Sequence, residues 1–255
     1  MKLRLMGFNI RYTDDANGHS VAERAPRIFS LIKEYDPDLI GFQEVTRIWL
    51  KPLQELDDRY DHVMLFRDCN DLEGAPVFWH KERYEYVSCE QFWFNETPDR
   101  PNIKGWGAAH VRHCLRVTLR HKESGKLVHI MNCHVDYLPE PQVPSAELLI
   151  KKAKELSAEE TVLCVADFNF TPTSPAYQTM TTYFNDVRGT LCPENVTSTC
   201  VGYHPPVDNI NSIIDMCFYH GKGITPVGYE VITRTFGENL YASDHFGMIY
   251  DLEIE

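Results

Sequence analysis

The sequence predicts a layered domain of mixed α/β class, and three observations predict it. Short apolar runs of strand length alternate with segments of helical periodicity. Two of those runs, joined by Lys122-Glu123-Ser124-Gly125, read as a hairpin, which a purely parallel sheet does not contain. The 255 residues are 43% hydrophobic, enough for a sizeable core, with no low-complexity tract, linker-like stretch or internal repeat to divide them. Residues 1–255 are therefore read as a single domain with strands and helices packed in layers.

The elements follow in chain order. A strand at 2–9 (KLRLMGFN) opens the chain. A helix at 21–35 sets Ala25, Ile28, Leu31, Ile32 and Tyr35 on one face. Asp36-Pro37-Asp38 stops it, because a proline pushes the preceding residue out of the helical region. Strands at 38–44 and 76–80 come next, and 110–121 with 126–134 form the hairpin. A second helix at 144–156 aligns Leu148, Leu149, Ala153 and Leu156, and the strand 161–167 follows it. Ser174-Pro175 supplies an N-cap and a first-turn proline for a helix through about Phe184. Strands at 213–219 and 246–253 complete the series.

Charge and cysteine usage narrow the function. The formal charge is −12, from 25 basic and 37 acidic residues, which argues against a broad, sequence-independent grip on a nucleic-acid backbone. A nuclease whose metal ions neutralise phosphate locally is still compatible with it. The opening MKLRLMGFNIRY turns polar too early for a signal-peptide core, and no run approaches the ~18 apolar residues of a membrane span. The eight cysteines are scattered without a C-x-x-C pair, several inside apolar strands, and read as reduced thiols. A cytoplasmic address and no membrane partner are expected.

The chemistry lies where the strands stop. KLRLMGFN ends at Asn9, and DLIGFQE at Gln43-Glu44. KLVHIMNCH ends at Asn132 and His134, with Asp136 two residues on. TVLCVADFN ends at Asp167 and Asn169, Asp215 interrupts SIIDMCFY, and Ser243-Asp244-His245 precedes the last strand. Singly, each has a plain reading: an Asn at a turn, a solvated Glu, a hydrogen-bonded core His. Asp215 is harder to dismiss, since a carboxylate in apolar surroundings is costly unless paired. Strand ends of an α/β sandwich gather on one edge, so these positions are expected to converge. They supply four carboxylates (Glu44, Asp167, Asp215, Asp244), two amides (Asn9, Asn169) and two imidazoles (His134, His245). Oxygen ligands suit a hard cation, Mg²⁺ or Mn²⁺, better than zinc.

In order, FNIR, GFQE, NCHVD, ADFN, IID and SDH resemble the endonuclease/exonuclease/phosphatase superfamily over essentially the whole chain. The segment FWFNETPDRPNIKGWGAAHVRHCLRV also resembles the FWLSETP…GW…R signature of small bacterial members without a defined substrate. The resemblance implies a four-layer α-β-β-α sandwich of two mixed sheets packed face to face, with helices outside and the site at one sheet edge. It departs from the family pattern at Ala166, where glycine is usual, and at Cys133 and Tyr137 in NCHVDY.

By resemblance and by chemistry, Glu44 and Asp244 would hold the divalent cation, with Asn9 beside it. Asp167 would be the general base toward water, and Asn169 would fix that water or the base. His134 and His245 would donate hydrogen bonds to phosphoryl oxygens, and Asp215 would pair with His245. Asp136 is assigned to support His134. Arg112 has two readings, a contact to phosphate or ligand and a structural ion pair; Trp106 likewise reads as a pocket wall or a loop anchor. The expected activity is hydrolysis of a phosphodiester or phosphomonoester, with a phosphorylated small molecule as substrate. The alternatives are a nuclease on DNA or RNA and a non-catalytic sugar- or phosphate-binding relative. The loops 66–76 and 193–212 are expected on the pocket rim.

Overall fold

Alternation along the strands decides the architecture. In β1 (Lys2–Asn9), Leu3 and Leu5 face one apolar cluster while Met6 and Phe8 face another. In β8 (Thr161–Asp167), Leu163 and Val165 face the first cluster, and Val162, Cys164 and Ala166 face a third. A strand buried on both sides needs a layer on each side, and four layers meet that need. The computed structural model describes residues 1–69 and 72–255.

The first sheet has six strands: β1, β2 (Leu39–Gln43), β3 (Tyr60–Val63), β4 (Val77–His80), β11 (Ile224–Ile232) and β12 (Gly247–Ile254), in the order β11-β12-β1-β2-β4-β3. The second joins β5 (Tyr84–Trp93), β6 (His113–His121), β7 (Leu127–His134), β8, β9 (Asn185–Asp186) and β10 (Asp215–His220), in the order β5-β6-β7-β8-β10-β9. Each sheet is mixed: β1 and β2 run parallel, β7 and β8 run parallel, and the other neighbours are antiparallel. Leu5, Leu39, Leu115, Ile130, Val165 and Met248 belong to the cluster between the sheets.

Helices cover the outer faces. α1 (Val21–Tyr35) and α2 (Arg47–Leu53) pack on the first sheet, α3 (Gln142–Ala153) and α4 (Pro175–Met180) on the second. α5 (Val187–Leu191) follows β9. The Glu23 carboxylate accepts the Ser20 N–H at 3.1 Å in a capping box that starts α1. Asp36, left-handed at φ 46°, ends the helix just before Pro37. The side chain of Ser174 accepts from Tyr177 N–H at 3.1 Å and caps α4.

Two contacts fix how the sheets approach beside the site. A Cβ on Gly41 would stand 2.6 Å from Val165 Cγ1, and one on Gly7 2.6 Å from Val165 Cγ2. The missing side chains let β1 and β2 settle onto β8. Alongside, buried Asn132 crosses between the sheets: its amide donates to the Phe42 and Pro76 carbonyls, each at 2.8 Å, and its oxygen accepts from Gln43 at 2.7 Å. No helix among the described residues is long and apolar enough to cross a membrane.

Candidate active site

Strand register assembles the site. The parallel pairing of β7 and β8 sets His134 beside Asp167, and the antiparallel pairing of β8 and β10 sets Asp167 beside Asp215. On the first sheet Asn9 pairs with Gln43, and the chain then turns at Glu44 with φ 61°. Asn169 turns in the same way, at φ 50°, two residues beyond Asp167. These left-handed turns are uncommon for residues other than glycine. They swing the chain out of the strand direction just where the polar side chains begin.

Asp167, 1% exposed, is the meeting point. Its Oδ2 accepts from Asn9 Nδ2 at 2.9 Å, and its Oδ1 from the Asn169 backbone N–H at 3.0 Å. Its Oδ2 also lies 3.3 Å from His134 Nε2 and 3.7 Å from His245 Nε2. The same Asn9 amide reaches Glu44 Oε1 at 3.2 Å, so one side chain ties both carboxylates across the two sheets. The backbone N–H of Tyr12 holds the other Glu44 oxygen at 2.8 Å.

The two histidines are pushed in opposite directions by their surroundings. His245 Nδ1 bonds Asp215 Oδ2 at 2.9 Å. Burial works against a charged ring there, but Asp215 and then Asp167 outweigh it and raise His245 well above the ordinary imidazole range. His134 is shifted the other way: burial, reinforced by Arg112, pushes it down to about 3, against the pull of Asp167. Its Nε2 lies 3.0 Å from Asn169 Nδ2, whose amide also donates to the Val135 carbonyl at 3.0 Å. Its Nδ1 faces Glu73 Oε1 at 3.4 Å, so both ring nitrogens meet protein groups.

These residues open onto one cavity of about 450 Å³, whose walls include Glu44, His134, Asp167, Asn169, Asp244 and His245. Asn9 and Asp215 stand behind it, touching Asp167 and His245. Arg112 lines the cavity and takes part in a structural ion pair, its Nη1 meeting Glu73 Oε1 at 3.1 Å. Trp106 does not line it; the indole packs against the cluster containing Phe92 and Phe94, where its apolar surface is better buried. Asp136 does not touch His134. It accepts the backbone N–H groups of His110 at 2.9 Å and Leu138 at 3.1 Å.

Among the side chains in the cavity that sequence reasoning missed are Arg11, Arg67 and Glu73. Arg11 stood inside the quoted FNIR motif without a role. It is left-handed at φ 64°, forked onto Asp15 at 3.0 and 3.3 Å, and 3.6 Å from Asp244. Arg67 and Glu73 lie in the loop expected on the rim. The bridge of Gly74 to Val45 brings that loop in beside Glu44, and a Cβ at Gly74 would sit 2.7 Å from the Leu65 carbonyl oxygen. Of the other rim loop, Cys200 reaches the cavity.

The donor chemistry can be tested against a divalent cation. Asp167, Asp215 and His245 offer ligand atoms within 4.8 Å of one another. In that trio, however, His245 Nδ1 and Asp215 Oδ2 already bond each other at 2.9 Å. Glu44 and Asp244 are cavity-facing carboxylates with hard oxygens, and they suit Mg²⁺ or Mn²⁺. The residues present fit such an ion.

Known proteins share this fold. The model of the endonuclease/exonuclease/phosphatase family matches residues 6–245. An endonuclease/exonuclease/phosphatase from Bacteroides vulgatus superposes with a TM-score of 0.90 at 30% identity, covering 100% of both chains. A mannosyl-6-phosphatase from Bacteroides thetaiotaomicron superposes at 0.87 with 25% identity, covering 99% of this chain and 100% of its own. Carbon catabolite repressor protein 4 homolog 6 of Arabidopsis thaliana is 22% identical over 189 residues, 68% of this chain and only 24% of that protein's length. The strand-end motifs, the two mixed sheets and the matched span agree, and the chain belongs to the endonuclease/exonuclease/phosphatase family.

Proposed function

We propose that the protein is a divalent-metal-dependent hydrolase of a phosphate ester, acting on a phosphorylated small molecule. The observation that carries the reading is a single cavity in which Asp167 faces His245 at 3.7 Å and cavity-facing Glu44 and Asp244 supply hard oxygens. The likeness to a protein described as a mannosyl-6-phosphatase supports a small substrate, as does the net charge of −12. A nuclease of this fold would meet DNA or RNA with an acidic surface. A purely ligand-binding relative would have no use for a general base.

Glu44 and Asp244 would hold Mg²⁺ or Mn²⁺, with Asn9 beside them. When bound, the ion supplies Lewis-acid stabilisation of phosphoryl oxygens and of the leaving oxygen. Asp167 takes a proton from the attacking water, whose oxygen bonds to phosphorus as the ester P–O bond breaks. Asn169 holds Asp167 through its backbone N–H and is steadied in turn by His134. His245 donates from Nε2 to a non-bridging oxygen, and Asp215 keeps that ring oriented and charged. Eight unpaired cysteines, four of them buried, suit a reducing compartment and support a cytoplasmic setting.

The test is hydrolysis of p-nitrophenyl phosphate, bis-p-nitrophenyl phosphate and an oligonucleotide with added Mn²⁺. Activity on a small ester is expected, abolished by chelator and lowered by about 10²- to 10⁴-fold in Asp167→Asn. Turnover indifferent to both treatments would sink the proposal. Faster cleavage of the oligonucleotide than of either ester would replace it with a nuclease.

A further inference from the structure

Arg11 is shared unequally between two carboxylates. Its Nε lies 3.0 Å from Asp15 Oδ2 but 3.6 Å from Asp244 Oδ2, and its Nη2 reaches Asp15 Oδ1 at 3.3 Å. The guanidinium therefore forks onto Asp15 and only approaches Asp244. Its main chain is pinned in the left-handed turn. The Arg11 N–H donates to Asn9 Oδ1 at 3.0 Å, and the Arg11 carbonyl accepts from Trp49 Nε1 at 2.7 Å. With the backbone fixed, the placement of Asp15 decides which carboxylate takes the guanidinium.

Asp15 is held from the far side. The Tyr203 hydroxyl donates to Asp15 Oδ2 at 2.8 Å, the same oxygen that receives Arg11 Nε. The Tyr203 ring lies against buried His19, with centroids 3.8 Å apart. His19 is seated in turn, its ring nitrogens 3.2 and 3.0 Å from the Ala16 and Asn239 carbonyl oxygens. Asp15 and Tyr203 line a neighbouring groove, whereas Arg11 and Asp244 line the cavity of Asp167, so the Arg11–Asp15 pair spans the wall between them. The segment before Tyr203 also meets Asp244, whose carbonyl accepts the Val201 and Gly202 N–H groups at 3.2 and 3.0 Å. Side chains and main chain thus close a ring through Asp244, Arg11, Asp15 and Tyr203. A guanidinium drawn to bonding distance of Asp244 would occupy its oxygen and repel a second cation. Held on Asp15, it keeps Asp244 Oδ2 beyond its own hydrogen-bond reach.

We propose that Asp15 and Tyr203 are positioning residues that tether the Arg11 guanidinium away from Asp244, so that this carboxylate stays open to a divalent cation. The proposal rests on the phosphohydrolase reading for the role of Asp244 as a ligand, but not for the tether itself. Loss of the Tyr203 hydroxyl would loosen Asp15 and let Arg11 swing onto Asp244.

The test is Mn²⁺ binding, measured by calorimetry without substrate, in wild type, Tyr203→Phe, Arg11→Met and the double variant. Tyr203→Phe changes no charge, and it should weaken Mn²⁺ binding by about ten-fold, as loss of a residue behind a metal ligand does. In the Arg11→Met background the same change should cost about two-fold or less, because no guanidinium remains to move. A general loosening of the loop would instead weaken binding equally in both backgrounds. That result overturns the tether, as does wild-type affinity in Tyr203→Phe. A second readout needs no metal: the NMR signal of the Arg11 Nε–H should shift and exchange faster with water in Tyr203→Phe. An unchanged signal likewise overturns the tether. No Mn²⁺ uptake by the wild type, together with an Arg11 signal that responds to Tyr203→Phe, would sink the cation reading and leave the tether standing.

Discussion

Asn9 Nδ2 donates to Asp167 Oδ2 at 2.9 Å, and this one bond joins the end of the first strand to the end of the strand that carries the proposed base. The second N–H of the amide reaches Glu44, so Asn9 sets the separation between a proposed metal ligand and the proposed base. Asn9→Ala should lower kcat on p-nitrophenyl phosphate by roughly 10- to 100-fold and raise the Mn²⁺ concentration for half-activation, as loss of an orienting partner does. Steady-state rates across a Mn²⁺ titration provide the check. A rate within two-fold of wild type, on the order of 0.4 kcal/mol, would remove Asn9 from the site.

Asp215 is buried and its carboxylate bonds the His245 ring at 2.9 Å, which makes the pair vulnerable. Asp215→Asn leaves a buried imidazole without its counter-charge. Removing one partner of a buried pair costs about 3–5 kcal/mol, so the urea midpoint should fall clearly along with activity. Asp215→Glu, which restores the charge, should recover part of both. If Asp215→Asn melts and turns over like the wild type, the pairing has no consequence.

Gly41 tests the approach of the sheets. Gly41→Ala places a methyl 2.6 Å from Val165 Cγ1 and 3.0 Å from the Asn132 side chain. Overpacking of this kind costs about 1–3 kcal/mol. Val165→Ala should relieve part of it, and a double-mutant cycle in urea denaturation measures the coupling. Strict additivity of the two changes would show that the contact does not limit the packing.

Asp136 gives a pH dependence. Burial pushes its carboxyl up, but the backbone N–H groups of Leu138, His110 and Ala109, with Arg112, outweigh this and hold it below its ordinary 3.8. A depressed carboxylate contributes stability that is complete above the unfolded value and is lost as pH falls through the lower folded value. Melting temperature should therefore drop more steeply for wild type than for Asp136→Asn as the pH is lowered below about 4. Parallel profiles would show that Asp136 bears no such load.

Much of this structure was legible because strands buried on both faces advertise themselves. β1, β2, β4, β7, β8 and β12 lie close to their predicted ranges, and α1 spans 21–35 in both. The unpredicted strands sit at sheet edges or beside them. β5 is exposed from Glu85 to Cys89, and β11 carries Pro226 and a bulge before Gly228, so neither presents a clean apolar alternation. β3 and β9 are also edges, of four and two residues. The site divides in the same way. Asn9, His134, Asp167 and Asp215 were readable because register alone brings strand ends together. Arg67 and Glu73 were not, because a bridge between Val45 and Gly74 places their loop, and no local pattern encodes such a contact.

The order of the strands has a kinetic corollary. Asp244 and His245 immediately precede β12, which zips antiparallel onto β1, the earliest strand in the chain. A folding intermediate lacking that final docking would own Glu44, His134 and Asp167 yet stay inert. Recovery of turnover during refolding thus becomes a clock for the slowest, most sequence-distant closure, lagging any signal from the β6–β7 hairpin.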